Sequence, residues 1–461
     1  MPRLAGAART VLVVAGVGLA VSGCETFQDA MYDFNPFAEK DKILPGDRRA
    51  VFTGNELPAE EGATRRAASP GPQQSNGDWP QPGGTPANNP GNLAFSGSGS
   101  RVWSASAAGG SRGLSVPTFG LSGGSVGLRI GARPVVAGGL VYAYDPTGVV
   151  TALSFSGGGR AWQQSVRPEK ESDSSAGGGV AYDQGRIYVA TSYGTLSALD
   201  AASGKALWTK DIEAPARGAP TATGGKVFVV TQTNVVLAVD QADGTELWTY
   251  RGIPETAGLL AAASPAVVGD TVVVPYTSGE VIAFDIAKGE PRWTDAVTAS
   301  SRTYAMSSIS DVAASPVVDG GVVFATSVSG ETIANDLRTG ERRWSQSVGS
   351  AHTPVVSGNA LFLVDLDDRA LALDRASGQP MWATKLPIVK TRKERSHWAG
   401  PVLAGGSLWF VSSDGKMAQV DAASGNLVGT HPIGDPAYIT PIVAAGTMIV
   451  VSANGTVSAY R

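Results

Sequence analysis

The chain has 461 residues, including 59 Gly and 28 Pro, and only 16% of it is charged, against roughly 25% in average usage. So many turn formers exclude long helices, and a net charge of −4 argues against a protein that neutralises nucleic-acid phosphates. One cysteine and three histidines exclude a disulfide framework and argue against a zinc or multi-histidine centre. We therefore expect a turn-rich all-β protein without a metal, a cofactor or a nucleic-acid partner.

The N-terminus has the pattern of a lipoprotein signal peptide. A basic flank precedes an apolar run over residues 11–21, which is too short to span a bilayer. Val21-Ser22-Gly23-Cys24 follows, and this tetrad resembles the bacterial lipobox, in which signal peptidase cuts before the cysteine and the thiol carries a diacylglycerol. We expect residues 1–23 to be removed and Cys24 to carry the lipid anchor. Glu25 is not the Asp that resembles an inner-membrane retention signal, which favours the outer membrane.

Residues 24–94 have the composition of a flexible tether. They contain nine prolines, and stretches such as residues 81–86 show no apolar periodicity. We therefore expect no core here, and a linker that holds a folded body away from the membrane.

Residues 95–461 repeat a frame of an anchor residue, a Gly four positions later and a Trp eight positions later. Five copies are complete: Asp200/Gly204/Trp208, Asp240/Gly244/Trp248, Asp285/Gly289/Trp293, Asp336/Gly340/Trp344 and Asp374/Gly378/Trp382. Two are degenerate, since Ser154 replaces one Asp and Gly429 replaces one Trp. A proline, or once Val180, precedes each anchor by 20 residues, and Pro441 predicts an eighth anchor at Arg461. Eight units of four short strands predict an eight-bladed β-propeller.

Each member of the frame has a structural role. The Asp accepts amides of a turn, the Gly supplies the positive φ of that turn, and the Trp fills the wedge between adjacent sheets. The eighth unit ends before its Trp strand, while Gly99 and Trp103 have the spacing of that strand. We therefore predict that residues 100–106 pair with the C-terminal blade and close the ring.

All variation in repeat length falls between one Trp and the next proline, so the variable loops share one face of the propeller. Insertions on one face of a repeat protein commonly mark its binding surface. Two neighbouring loops, Thr249 to Ser264 and Thr294 to Ser315, are the candidates, and the first carries Ile253 where a polar residue is usual. The predicted partner-binding residues are Leu259, Leu260, Arg302, Tyr304, Met306 and Asp311.

The repeat resembles the quinoprotein-type propellers, and with the lipobox it resembles the BamB family, lipoproteins of the outer-membrane β-barrel assembly machinery. The motifs that carry this resemblance are residues 310–318, 358–365 and 454–457. It implies a non-catalytic scaffold, lipid-anchored in the outer membrane and facing the periplasm. It also implies that inter-blade loops bind a POTRA domain of the insertase, with nascent outer-membrane proteins as further partners.

The same resemblance implies roles for particular residues. Asp311 matches the first Asp of an Asp-x-Asp pair in that family, but the second position is Ala313. Leu259 is retained from a Leu/Arg stretch, and Leu260 stands where an Arg is usual.

Two other functions stay open on the sequence alone. A quinoprotein dehydrogenase would need a calcium site. The cluster Asp365, Asp367 and Asp368 lacks the ligand spacing of an EF-hand, and we expect it to form a polar turn. A propeller that binds glycan or an anionic ligand would use the basic loop over residues 385–397, next to Trp398.

Overall fold

In this computed structural model the described residues form thirty-two strands in eight separate four-stranded antiparallel sheets, the blades of a propeller. The structure describes residues 65–108, 132–171, 177–254, 263–297, 311–389 and 395–461. These ranges belong to one compact unit, residues 55–461, and no helix in them is long and apolar enough to cross a membrane. The predicted all-β fold with eight blades is confirmed.

The first strand, β1 (Arg101–Ser106), belongs to the last blade, and the first four blades then follow each other along the chain. Blade 1 has β2 (Val135–Ala137), β3 (Leu140–Asp145), β4 (Val149–Ser154) and β5 (Arg160–Ser165). Blade 2 has β6 (Gly178–Asp183), β7 (Arg186–Thr191), β8 (Thr195–Asp200) and β9 (Ala206–Asp211). Blade 3 has β10 (Thr221–Thr223), β11 (Lys226–Val230), β12 (Val235–Asp240) and β13 (Glu246–Arg251). Blade 4 has β14 (Ala266–Val268), β15 (Thr271–Pro275), β16 (Glu280–Asp285) and β17 (Pro291–Ala296).

The remaining blades complete the ring, and the last one borrows β1 as its outer strand. Blade 5 has β18 (Val317–Asp319), β19 (Val322–Thr326), β20 (Thr332–Asp336) and β21 (Arg342–Gln346). Blade 6 has β22 (Val355–Ser357), β23 (Ala360–Val364), β24 (Arg369–Asp374) and β25 (Pro380–Lys385). Blade 7 has β26 (Trp398–Ala404), β27 (Ser407–Ser412), β28 (Lys416–Asp421) and β29 (Leu427–Pro432). Blade 8 has β30 (Ile442–Ala444), β31 (Thr447–Val451) and β32 (Thr456–Tyr460), followed by β1.

Strand direction gives the propeller two unlike faces. Because all strands of a blade are antiparallel, the links between blades and the turn between the second and third strands lie at one end, called here the connection face. The turns after the first and the third strands lie at the other end, called here the turn face. The predicted partner-binding loops are links between blades and therefore belong to the connection face.

The repeated frame has the structural roles that the sequence predicts. The Asp200 carboxylate accepts the Ser203 amide at 2.8 Å, and the turn glycines have positive φ, for example 76° at Gly244. The Trp208 ring packs against Gly244 of the next blade, where a Cβ would lie 2.8 Å from a ring carbon. Its indole nitrogen donates to the Gln241 carbonyl at 3.1 Å. The hydrophobic core therefore runs between the sheets, with each Trp of the repeated frame joining two blades.

The N-terminal strand closes the ring, as predicted. β1 pairs antiparallel with β32, and the Ser100 and Arg461 backbones bond each other at 2.9 Å in both directions. Trp103 takes the place of the missing Trp of blade 8, since its indole nitrogen donates to the Phe155 carbonyl of blade 1 at 3.0 Å.

Residues 65–94 differ from the expected tether, because the structure places them on the propeller. The segment starts on the turn face of blade 6, where Arg66 pairs with Asp374 at 2.7 Å. It then reaches the axis, where residues 76–93, here called the axial cap, lie against the innermost strands. It leaves past blade 7, where Phe95 meets Trp409 edge to face with ring centroids 5.5 Å apart.

The axial cap bonds one equivalent position in all eight blades, two residues after the proline position. Trp79 and Val136 exchange backbone hydrogen bonds of 2.7 and 2.8 Å, and the Gln81 side-chain amide donates to two neighbouring blades. The eight contacted residues are Val136, Tyr182, Ala222, Val267, Val318, Val356, Leu403 and Val443. An innermost strand has an unpaired edge towards the axis, so the axial cap satisfies backbone groups that the blades leave open.

Candidate partner-binding face

The candidate site lies on the connection face, around the links that join blades 2 to 5. The blade 3–4 link runs from Arg251 to Ala266, and the blade 4–5 link runs from Ala296 to Val317. Both links begin and end in described residues, and these form the base of the site. The predicted site residues that lie outside the described ranges are Cys24, Leu259, Leu260, Arg302, Tyr304 and Met306.

Asp311 lies inside the protein and not at a rim, which differs from the expectation for a partner-binding carboxylate. Its side chain is fully buried and forms an ion pair with Arg217, which is also buried. Arg217 donates further hydrogen bonds to the carbonyls of Pro275 at 3.2 Å and Val312 at 2.8 Å. Burial lowers the pKa of the Arg217 guanidinium, and the Asp311 charge opposes that shift. One arginine of the blade 2–3 link thus holds the end of the blade 4–5 link.

The ends at which the two loops return to the blades are tied to each other. The Ser264 amide donates to the Ser315 hydroxyl at 2.9 Å, which joins the blade 3–4 link to the blade 4–5 link. The Val312 amide donates to the Tyr276 carbonyl at 3.3 Å and so joins the second link to blade 4. The return ends of the two loops therefore form one connected base.

The first loop leaves the propeller at a fixed point. Asn234, in a left-handed turn with φ 58°, donates from its side-chain amide to the Ile253 carbonyl at 2.6 Å. Its side-chain oxygen accepts the amide and the hydroxyl of Thr277 at 3.1 and 3.0 Å. The Ile253 side chain is 55% exposed. A rigid backbone thus presents an apolar side chain to solvent, as binding surfaces commonly do.

The described part of the basic loop is largely neutralised. Arg395 and His397 both contact the Asp368 carboxylate, at 3.0 and 3.3 Å. Trp398 is buried at the start of β26, and its indole nitrogen donates to the Pro387 carbonyl at 2.9 Å. The neighbouring turn has the same character, since Asp365 pairs with Arg369 at 2.7 Å. Within the described residues no group of His, Cys, Asp and Glu side chains is arranged to hold a metal ion.

Comparison with known proteins relates the chain to outer-membrane assembly factors. Residues 146–384 match the family model described as outer membrane protein assembly factor BamB. The chain is 31% identical to the Salmonella typhimurium protein of that name, over 73% of this chain and 86% of the relative. It is 30% identical to the Escherichia coli protein, over 72% of this chain and 86% of the relative.

Two solved structures with different names share the propeller fold of this chain. The crystal structure of BamB from Moraxella catarrhalis superposes with a TM-score of 0.60 at 21% identity, covering 70% of this chain and 94% of that one. A europium-containing methanol dehydrogenase superposes with a TM-score of 0.63 at 16% identity, covering 81% of this chain and 89% of that one. At these identities the two structures establish the propeller fold alone.

Proposed function

Since the chain belongs to the family of outer membrane protein assembly factor BamB, we propose that it is a non-catalytic scaffold lipoprotein of that assembly machinery. In this proposal Cys24 carries the lipid, and the links on the connection face bind the periplasmic POTRA region of the insertase. The bound insertase then receives nascent outer-membrane proteins beside the propeller. The observation that carries the proposal is the connected base under the two loops, with exposed Ile253 at its edge.

The position of Asp311 supports a positioning role and not a direct contact. Its ion pair with Arg217 fixes the end of the second loop, so the loop residues above it can meet a partner without a large loss of entropy. We therefore assign the direct contacts to Leu259, Leu260, Arg302, Tyr304 and Met306.

The path of the N-terminal segment supports the same face. Arg66 pairs with Asp374 on the turn face of blade 6, and Arg65 donates to the Ala383 carbonyl on the outer strand of that blade. The described segment therefore begins away from the links that join blades 3 to 5.

The test is the double variant Leu259→Asp/Leu260→Asp, with binding to the insertase's purified periplasmic region measured by surface plasmon resonance. We expect affinity to fall by a factor of roughly 30 or more, because an interface must desolvate the two new carboxylates. The matched control is Leu207→Asp/Leu247→Asp, since these leucines are 47% and 42% exposed on the outer strands of blades 2 and 3. The control should bind like the wild-type protein.

Two results would contradict the proposed face. One is full binding by the loop variant, and the other is equal loss in the control. Charge reversal at Lys390, Arg392 and Lys393 provides a further comparison. If that change abolishes binding while the leucine variant does not, the partner binds the basic loop.

A further inference from the structure

Blades 8 and 1, which meet where the ring closes, lack the frame Asp that the other six blades have on the turn face. Ser154 takes its place in blade 1 and Arg461 in blade 8, where the Arg461 side chain donates to the Thr447 hydroxyl at 2.9 Å. Among the described residues, these two blades have no Asp or Glu side chain on the turn face. This part of the face has therefore lost the carboxylates that every other blade supplies.

The missing carboxylates leave the arginines of two outer strands unpaired. In blade 5 the arginine near the start of the outer strand, Arg343, pairs with the frame residue Asp336 of the same blade at 2.8 Å. Arg101 and Arg160 begin the outer strands of blades 8 and 1 and are exposed. Neither forms an ion pair with a carboxylate in the part of the chain that the structure describes. Their charges are therefore available to an external anion.

The outer strands of blades 7, 8 and 1 lie side by side at this place. A Cβ at Gly158, two residues before Arg160, would lie 2.6 Å from the Trp103 ring of β1. On the other side, a Cβ at Gly99, just before β1, would lie 3.6 Å from the His431 ring of β29. The starts of the three outer strands therefore form one continuous margin of the turn face.

Apolar side chains are exposed on the same margin. Val102 of β1 is 51% exposed, and Leu427 and Val428 of β29 are 40% and 59% exposed. The N-terminal region joins the described structure here, because the exposed Arg65 donates to the side chain of Asn426, next to Leu427, at 3.1 Å. Basic and exposed apolar side chains thus share this surface, here called the closure margin: Arg65, Arg101, Val102, Arg160, Leu427 and Val428.

We propose that the closure margin binds the surface of an anionic phospholipid membrane. Lipid phosphates attract arginine, and valine and leucine side chains can enter the interface between the headgroups. The proposal rests on the proposed function only through the lipid at Cys24, which would attach residues 24–64 to the same membrane. Because those residues lead to the closure margin, they raise its effective concentration at the bilayer, and a few contacts suffice to orient the propeller. In this orientation the connection face, at the opposite ends of the strands, points away from the membrane.

The test uses residues 24–461, the form expected after cleavage, with Cys24→Ser so that no attached lipid contributes. Because Cys24 is the only cysteine of the chain, one introduced cysteine can carry an environment-sensitive fluorophore. Val102→Cys places it on the closure margin. Leu247→Cys is the matched control, since it is 42% exposed and also precedes the Trp of its outer strand, in blade 3. Each protein is titrated with vesicles of phosphatidylcholine alone or mixed with phosphatidylglycerol.

The fluorophore at Val102 should gain intensity with the anionic vesicles, and the one at Leu247 should not. Arg101→Glu/Arg160→Glu, added to the Val102→Cys protein, should lower the partition coefficient roughly tenfold or more, because each basic residue near an anionic surface contributes to binding. Lys288→Glu/Arg338→Glu makes the same change in net charge at exposed turn-face sites of blades 4 and 5 and should have little effect. Circular dichroism checks that each variant is folded.

The proposal is overturned if anionic vesicles leave the fluorophore at Val102 unchanged or affect the one at Leu247 equally. It is also overturned if both vesicle types bind alike, or if the two charge variants lose binding equally. The vesicles contain no insertase and the protein carries no lipid, so the result does not depend on the proposed function. Insertase binding should be unchanged in Arg101→Glu/Arg160→Glu, which keeps a failure of either proposal distinguishable.

Discussion

At the axis, the cap meets all eight blades at one repeated position, whereas on the connection face each link makes contacts of its own. Trp79, Gln81 and Leu93 bond inner strands through equivalent backbone groups. Arg217 instead reaches one particular carboxylate, Asp311, two links further on. The axial contacts exploit what every repeat shares, and the link contacts depend on residues that single repeats have acquired. We therefore expect the axial contacts to stabilise every blade alike and the link contacts to distinguish one part of the connection face from another.

The junction between blades 7 and 8 shows the same division. Elsewhere a Trp packs against the Gly turn of the next blade, as Trp382 does against Gly425. Among the described residues blade 8 has no such turn, because its outer strand is β1 from the N-terminal side of the propeller. Gly429 replaces the Trp of blade 7, and Gly99 of the entering segment faces His431 and Met417 there. The degenerate repeat is therefore a consequence of ring closure.

Removing the axial cap together with its flanking residues should have the largest effect on stability. The deletion of residues 66–95 removes the buried side chains of Trp79, Leu93 and Phe95, worth on the order of 5 kcal/mol by burial alone. It also leaves eight inner strands with open backbone groups. We expect the melting temperature, measured by circular dichroism, to fall by roughly 10 °C or more.

A matched deletion of equal length, residues 31–60, tests whether this loss is specific to the axial cap. It shortens the N-terminal region and removes none of the residues that the structure describes. We expect its melting temperature to equal that of the full chain. Equal losses in the two deletions would show that the cap contacts do not stabilise the propeller.

The propeller could be predicted from the sequence, while the axial cap could not, for a physical reason. An Asp, a Gly and a Trp at fixed spacing act through local turns and one neighbouring blade, so their pattern is visible along the chain. The axial cap acts through backbone groups and short amides such as Gln81 and Asn88, whose composition is that of a linker. Only buried Trp79 and Leu93 distinguish it, and neither belongs to a period.

Breaking the ion pair under the loops should have the next largest effect. Asp311→Ala leaves the buried Arg217 charge without its carboxylate, which typically costs about 3–5 kcal/mol. The double variant Arg217→Met/Asp311→Leu should regain most of the lost melting temperature, because it removes both charges. Glu290→Ala, in the exposed pair with Lys288, is the control and should cost less than about 1 kcal/mol. A double variant as unstable as Asp311→Ala would contradict this account.

The loops of the candidate site could be predicted from the sequence, but the buried ion pair beneath them could not. Loop length and the apolar Ile253 are visible in the repeat alignment, and the structure shows that side chain exposed. Arg217 lies 94 residues before Asp311, in a different link, and no spacing connects them. A carboxylate assigned to a partner on family resemblance thus proved to be held by its own chain.

The smallest effect on stability should come from placing a charge on the connection face, and the same change at the axis sharpens the comparison. Ile253→Asp exchanges a side chain that is already 55% exposed, so its free energy of unfolding should stay within about 0.5 kcal/mol of wild type. Leu93→Asp buries a carboxylate at a residue that is 2% exposed, without a basic partner bonded to it, and should lower the melting temperature markedly.

Insertase binding should respond in the opposite order, since folded Leu93→Asp keeps the connection face intact and Ile253→Asp alters it. Thermal unfolding and binding measured on the same two preparations decide the matter, and a stable Leu93→Asp that has lost binding would assign the partner to the axis.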